Sequence, residues 1–263
     1  MRKIKLGIQL GHDVAALPNS SPMKPQTGTN GELDLTKKVY FAIKEIIDSR
    51  YSDIIELYYD DARCLNAAGM DYYFCPHFDG ATNPSYDGGF VDCNPESLTK
   101  DKDWAFAQTL ADNYFGPMGI RFAPEHRTVN STYYYAFNFT GDQTIQTIME
   151  LGTLTNASDR AKCQDYKKIA QLIVNGLVAY FTKEDANFKE YLKGQAAQSC
   201  ETTLGIVRKQ LQEAKDAFTK LQQDTKKQLA DKDTECQYKI HNEIEKMKAD
   251  IISYISEYVE IIK

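Results

Sequence analysis

The first 180 or so residues alternate short apolar runs with amphipathic stretches, and this alternation constrains the fold more than any other feature of the chain. Apolar runs at 3–10, 53–59, 70–76, 89–93, 132–137 and 143–149 have the length of strands. Stretches at 31–49, 60–68, 97–115 and 158–181 carry helical patterns instead. In the last of these, Ile169, Leu172, Ile173, Leu177 and Phe181 recur with a period of about 3.6, and Ser158 is placed as its N-cap. Strands that alternate with helices stack as βα units. The predicted class is α/β: a twisted, mostly parallel sheet flanked by helices, followed by a C-terminal α-helical segment.

That last segment begins after Phe181, where the composition changes. From residue 199 onward there is no proline, Gly205 is the only glycine, and charges of both signs alternate. Apolar residues recur every three or four positions at Leu204, Val207, Leu211, Ala214, Phe218 and Leu221. After a polar break at 225–232 the pattern resumes at Cys236, Ile240, Ile244, Met247, Ile251 and Tyr254. Two heptad-like blocks divided in this way fit either a long coiled coil or a helical hairpin folded at the break. A single helix with such a stripe is marginal in water, so the segment is expected to find a partner, with a homo-oligomer formed through 199–263 as the first choice. The expected organisation is a domain at 1–182, a linker at 183–198 and a helical segment at 199–263.

Composition excludes several roles. A formal charge of −6 leaves no basic footprint for nucleic acid. No apolar run approaches the ~18–20 residues that span a bilayer, so no membrane span is expected. The basic residues Arg2, Lys3 and Lys5 precede an apolar stretch that is short, interrupted by Gln9, and runs directly into His12 and Asp13. That is not the pattern of a signal peptide, and synthesis in the cytoplasm is expected. The six cysteines, at 64, 75, 93, 163, 200 and 236, form no C-x-x-C pair. They offer neither a disulfide framework nor a thiolate zinc site, and read as small apolar fillers, Cys75 the most buried among them.

Four positions carry the chemistry. His12 closes the first apolar run, Glu32 opens the helix after it, His77 closes the third run, and Glu150 closes the run at 143–149. In an open α/β sheet, ligands bind outside the carboxyl ends of the strands, so these four side chains are expected on one edge. A lone histidine at a strand end is more often structural. Here, however, two of the chain's four histidines fall at equivalent strand ends beside acids. Two His and a carboxylate suit Zn2+ with one position left open for water, whose pKa the metal lowers to about 7. His12, Glu32 and His77 fit the ligand role, and Glu150 fits the group that accepts the water proton and passes it to the leaving group. Loops rich in Pro, Gly, Asn and Ser at 17–31 and 79–89 are expected to form the rim. His126 lies near that rim, while His241 reads as a solvated helix-face residue.

These stretches resemble the type-3 class of zinc-dependent N-acetylmuramoyl-L-alanine amidases, which includes catalytic domains of phage endolysins. The resemblance is carried by Leu10-Gly11-His12 followed by Gly31-Glu32, by Cys75-Pro76-His77-Phe78-Asp79, and most specifically by Met149-Glu150-Leu151-Gly152-Thr153-Leu154-Thr155-Asn156. It covers about residues 1–182. It implies that His12, Glu32 and His77 bind zinc and that Glu150 is the catalytic acid/base. The substrate it implies is bacterial peptidoglycan, cleaved at the amide between the muramic acid lactyl group and L-alanine. The chain departs from the family pattern at Asp13, where a second glycine is common, at Asp79 for an asparagine, and at Thr153 for an aromatic residue. Asp79, His126 and Asn156 are further candidates for orienting a ligand or touching substrate. The resemblance implies a phage endolysin that acts on the cell wall after release. The alternatives are an inactive amidase-fold binding or structural protein assembled through its C-terminal segment, and a zinc hydrolase of another wall peptide bond.

Overall fold

The computed structural model describes residues 2–10, 12, 31–229 and 234–262. Asp13 and most of the loop read at 17–31 lie outside these. The chain divides into two compact units, 1–193 and 194–263.

The first unit is built on a five-stranded sheet of order β2-β1-β3-β5-β4. Its strands are β1 (Ile4–Gln9), β2 (Ile55–Asp60), β3 (Tyr72–Asp79), β4 (Phe90–Asp92) and β5 (Ile145–Thr153). β1, β2, β3 and β5 run parallel, and the short edge strand β4 is antiparallel to β5. The α/β class with a mostly parallel sheet is therefore the observed one.

Alternation along β3 shows how the two faces differ. Tyr72 and Phe74 pack under the helices α1 (Glu32–Arg50), α2 (Lys100–Met118) and α5 (Tyr166–Glu184). Tyr73 and Cys75 point to the opposite face, where Ala67, Met70, Ala136 and Phe137 cover them. Helix α1 turns Leu35, Val39, Ile43 and Ile47 onto the sheet, the spacing of an apolar helix stripe. Cys64, Cys75, Cys93 and Cys163 are buried and unpaired, and Cys200 is exposed and unpaired.

Three expected elements take another form. The stretch at 60–68 is not a helix, because the carboxylate of Asp60 accepts from the backbone N–H groups of Asp61, Leu65 and Asn66 and folds the chain into a turn. Only a short 3-10 turn, Ala67–Gly69, follows. The stretch at 132–137 is not a strand. Thr128 and Ser131 form a reciprocal capping box that starts the short helix α3 (Val129–Thr132), and a 3-10 segment, Tyr135–Phe139, comes next. The helix at 158–181 is two helices, α4 (Ala157–Cys163) and α5. Asn156, not Ser158, caps α4, and Asp165 caps α5 by accepting from Lys168 N–H.

The region read as a linker is helical on both sides of Asp185, with α6 running over Ala186–Leu229. The first turn of α6 belongs to the first unit, where Phe188 is fully buried against Tyr51, Phe181 and Tyr191. The second unit holds the remainder of α6 and helix α7 (Thr234–Ile262). Lys248 of α7 places its ammonium 5.6 Å from the ring centre of Phe218 of α6, so the two helices lie side by side. Val207, Leu211, Ala214 and Phe218 are half-buried in one stripe, as are Ile240, Ile244, Ile251 and Ile255 in the other. No helix among the described residues is long and apolar enough to cross a membrane.

Candidate metal centre and its cleft

Strand order reverses between β1 and β3, since β2 lies on one side of β1 and β3 on the other. Such a switch point opens a crevice beyond the carboxyl ends of the strands. His12 follows β1, His77 lies near the end of β3, and Glu150 lies in β5 beside it. Glu32 occupies the first turn of α1, where its negative charge suits the positive end of the helix dipole. His77 and Glu150 fall inside their strands rather than just past them, because β3 runs on to Asp79 and β5 to Thr153.

One carboxylate oxygen organises the cluster. Oε1 of Glu32 lies 3.0 Å from His77 Nδ1 and 3.3 Å from His12 Nε2, and it accepts a hydrogen bond from Phe78 N–H at 3.1 Å. One ligand atom from each of His12, Glu32 and His77 lies within 4.8 Å of the others. Two imidazoles and a carboxylate brought this close fit a divalent cation of the zinc type, which takes nitrogen and oxygen donors. Burial pushes the Glu32 carboxyl upward, but the hydrogen bonds and charges of His12 and His77 outweigh it, and the pKa falls to about 2. The carboxylate therefore stays ionised, as a ligand must.

The far ring nitrogen of His77 is held as well. Its Nε2 lies 2.9 Å from the hydroxyl of Tyr134, which itself donates to Gln9 Oε1 at 3.2 Å. Gln9 Nε2 donates to the Tyr135 hydroxyl at 2.7 Å. Both ring nitrogens of His77 are therefore engaged, Nδ1 by the Glu32 carboxylate and Nε2 by the Tyr134 hydroxyl. Partners of this kind fix the tautomer of ligating histidines. The link from His77 through Tyr134 to Gln9 was not foreseen in the sequence. The available signal was Gln9 itself, a polar residue that closes a strand with Ile4, Leu6 and Ile8 in the core and that is fully buried.

Glu150 stands apart from the cluster. It is the register partner of His77, and both line a cleft of about 1050 Å³. Its Oε2 is sealed from solvent and has no hydrogen-bond partner. Burial drives its carboxyl well above the usual range, and the charges of Glu32 and Asp79 push the same way. A carboxyl so placed holds its proton more tightly than an ordinary carboxyl, as the proton carrier in acid/base work must. Gly89 keeps the strand beside it close: a Cβ at this position would stand 2.0 Å from the Glu150 carbonyl oxygen.

The remaining candidates divide. Asp79 lines the cleft, and burial raises its pKa. His126 also lines the cleft, stacked on Tyr86. Asn156 does not line it. Its Oδ1 caps α4 and its Nδ2 donates to Pro84 O, so its polar atoms support the loop after β3. Tyr133 and Tyr134 line the cleft, whereas Tyr72 and Tyr73 are core residues. His241 is exposed on α7.

No protein-family model matches the sequence, and no curated protein does. Solved structures share the fold. An N-acetylmuramoyl-L-alanine amidase from Clostridium difficile 630 superposes with a TM-score of 0.53 at 15% identity, covering 69% of this chain and 98% of that one. The amidase Ami1 from Mycobacterium smegmatis gives 0.53 at 16% identity, covering 69% and 98%. The catalytic domain of the CD27L endolysin, which targets Clostridia difficile, gives 0.50 at 15% identity over 67% and 97%. The sheet and helices of this chain therefore have the fold of N-acetylmuramoyl-L-alanine amidase catalytic domains.

Proposed function

We propose that this protein is a zinc-dependent N-acetylmuramoyl-L-alanine amidase that cleaves the amide between the muramic acid lactyl group and L-alanine in peptidoglycan. The observation that carries this reading is the pairing of a His12–Glu32–His77 cluster with a separate carboxyl at Glu150, which lines the cleft with His12 and His77 and has one oxygen without a partner. The fold shared with structures of such amidases supports it.

His12, Glu32 and His77 hold the metal. Bound there, zinc supplies Lewis acidity toward water and toward an amide carbonyl. Glu150 accepts a proton from the attacking water as its oxygen bonds to the lactyl carbonyl carbon. When the carbon–nitrogen bond breaks, Glu150 returns that proton to the departing L-alanine nitrogen. The products are a lactyl carboxylate and a free stem amine. The raised pKa of Glu150 serves both transfers, since the group must first take the proton and then give it up.

The setting we propose is an endolysin made in the cytoplasm and acting on the wall after release, with residues 1–193 carrying the chemistry. The helices of 194–263 serve self-association. Half-buried stripes and exposed Ile206, Met247, Ile252 and Tyr254 support that role, and a dimer mass by light scattering is the expected result.

The test compares metal content and wall lysis in the native protein and Glu150→Ala. About one zinc per chain in both, with lysis only by the native protein, is expected. A folded native protein that takes up no metal would overturn the enzyme reading in favour of an amidase-fold binding protein.

A further inference from the structure

Tyr86, Tyr133, Tyr134 and Tyr135 all line the cleft. Three of these rings are engaged within the protein. Tyr86 stacks on His126, Tyr134 joins His77 to Gln9, and Tyr135 accepts from Gln9. Tyr133 differs. It is 50% exposed, and among the described residues its side chain makes neither a hydrogen bond nor a ring contact. Its backbone is nevertheless fixed. Asp92, buried at the end of β4, accepts from the hydroxyls of Ser131 and Thr132 at 2.8 Å each and so ties down α3. Tyr133 closes that helix, its N–H donating to Val129 O at 2.9 Å, and the next residue, Tyr134, reaches His77 of the candidate metal centre. Asn130, three residues before Tyr133, also lines the cleft, and its exposed carboxamide meets no partner among the described residues.

An aromatic face held in place beside a free carboxamide is a recognition surface for a ligand with an apolar face and a polar edge. A pyranose is such a ligand: its C–H bonds form the face, and its hydroxyl and acetamido groups form the edge. On the amidase reading a sugar must also lie close by. The lactyl group is joined by an ether directly to the amino sugar, so a lactyl carbonyl at the metal centre draws that ring into the cleft. We infer that Tyr133 is a substrate-binding residue that stacks on the amino-sugar ring bearing the lactyl group, with Asn130 hydrogen-bonding at the edge of that ring. The identity of the sugar rests on the amidase reading above.

The experiment uses the full chain, zinc-loaded, with two soluble substrates of one peptide sequence: an N-acetylmuramoyl-tripeptide and the D-lactoyl-tripeptide that lacks the sugar. Tyr133→Ala is expected to raise KM for the first about tenfold and to leave KM for the second unchanged. Tyr133→Phe, which keeps the ring, is expected to match the native protein on both. Saturation-transfer NMR with N-acetylmuramic acid reads the contact without catalysis. Native protein is expected to saturate the protons of the sugar ring, and Tyr133→Ala to lose that transfer. A folded Tyr133→Ala variant whose KM is unchanged for the muramoyl substrate, or raised equally for both, overturns this inference and leaves the amidase reading standing. Equal saturation transfer by the two proteins does the same. No cleavage of the muramoyl substrate by the native protein overturns the amidase reading and this inference with it.

Discussion

His77 and Glu150 are register partners on the adjacent parallel strands β3 and β5, so their side chains leave the sheet on the same face. One joins the His–Glu–His cluster while the other stands apart with a sealed oxygen. Strand pairing thus places the proposed metal ligand His77 beside the proposed proton carrier Glu150.

The raised pKa of Glu150 makes a prediction about stability. In the folded, metal-free protein its proton leaves at higher pH than in the unfolded chain, because burial penalises the charge. The folded state then binds more protons between the usual carboxylate value and the raised one, so stability falls as pH rises through that window. Glu150→Gln removes this loss. The metal-free variant is expected to melt a few degrees above the native protein at pH 8 and level with it at pH 4, one kcal/mol being worth about 2–4 °C. Calorimetry at the two pH values checks this, and an equal offset at both would contradict it.

Tyr134 makes a second prediction, because its hydroxyl joins His77 to Gln9. Tyr134→Phe keeps the ring but frees the imidazole to turn and to change tautomer. Zinc affinity, measured by competition with a chelator, is expected to fall about 10–100-fold, as is common when such a partner is lost. Unchanged affinity would show that His77 is held by its other neighbours alone.

A third prediction concerns where the first unit ends. Phe188 lies beyond residue 182, yet it is buried with Phe181 and Tyr51. A chain ending at Lys193 is expected to fold and bind zinc. One ending at residue 182 loses Phe188, and emptying a buried phenylalanine site costs about 3–5 kcal/mol, or roughly 6–20 °C in melting temperature. Equal melting of the two truncated chains would place the boundary at 182.

The sequence made the sheet legible because β1, β2, β3 and β5 are short runs rich in apolar residues, set among stretches of helical pattern. The gathering of His12, Glu32 and His77 was legible too, since strand ends in such a sheet, and the start of the helix that follows one, share an edge. Elements governed by single polar side chains were not. Asp60 gathers three backbone N–H groups into a turn where periodicity suggested a helix, and where a run of tyrosines suggested a strand the chain leaves the short helix begun by the Thr128–Ser131 box and enters a 3-10 segment. The Tyr134–Gln9 link depends on contacts 125 residues apart, which no local pattern encodes. Phe188 was passed over because an apolar residue past a helix break looks like linker until its neighbours are known.

The most direct measurement is mass spectrometry of purified peptidoglycan digested by the zinc-loaded protein, with and without a chelator. The expected products are stem peptides with a free L-alanine amino terminus and glycan bearing intact lactyl carboxylates, both lost when zinc is removed. Cleavage at another bond, or the same cleavage undiminished by the chelator, would contradict the assignment of the His12–Glu32–His77 cluster and Glu150 to a zinc amidase.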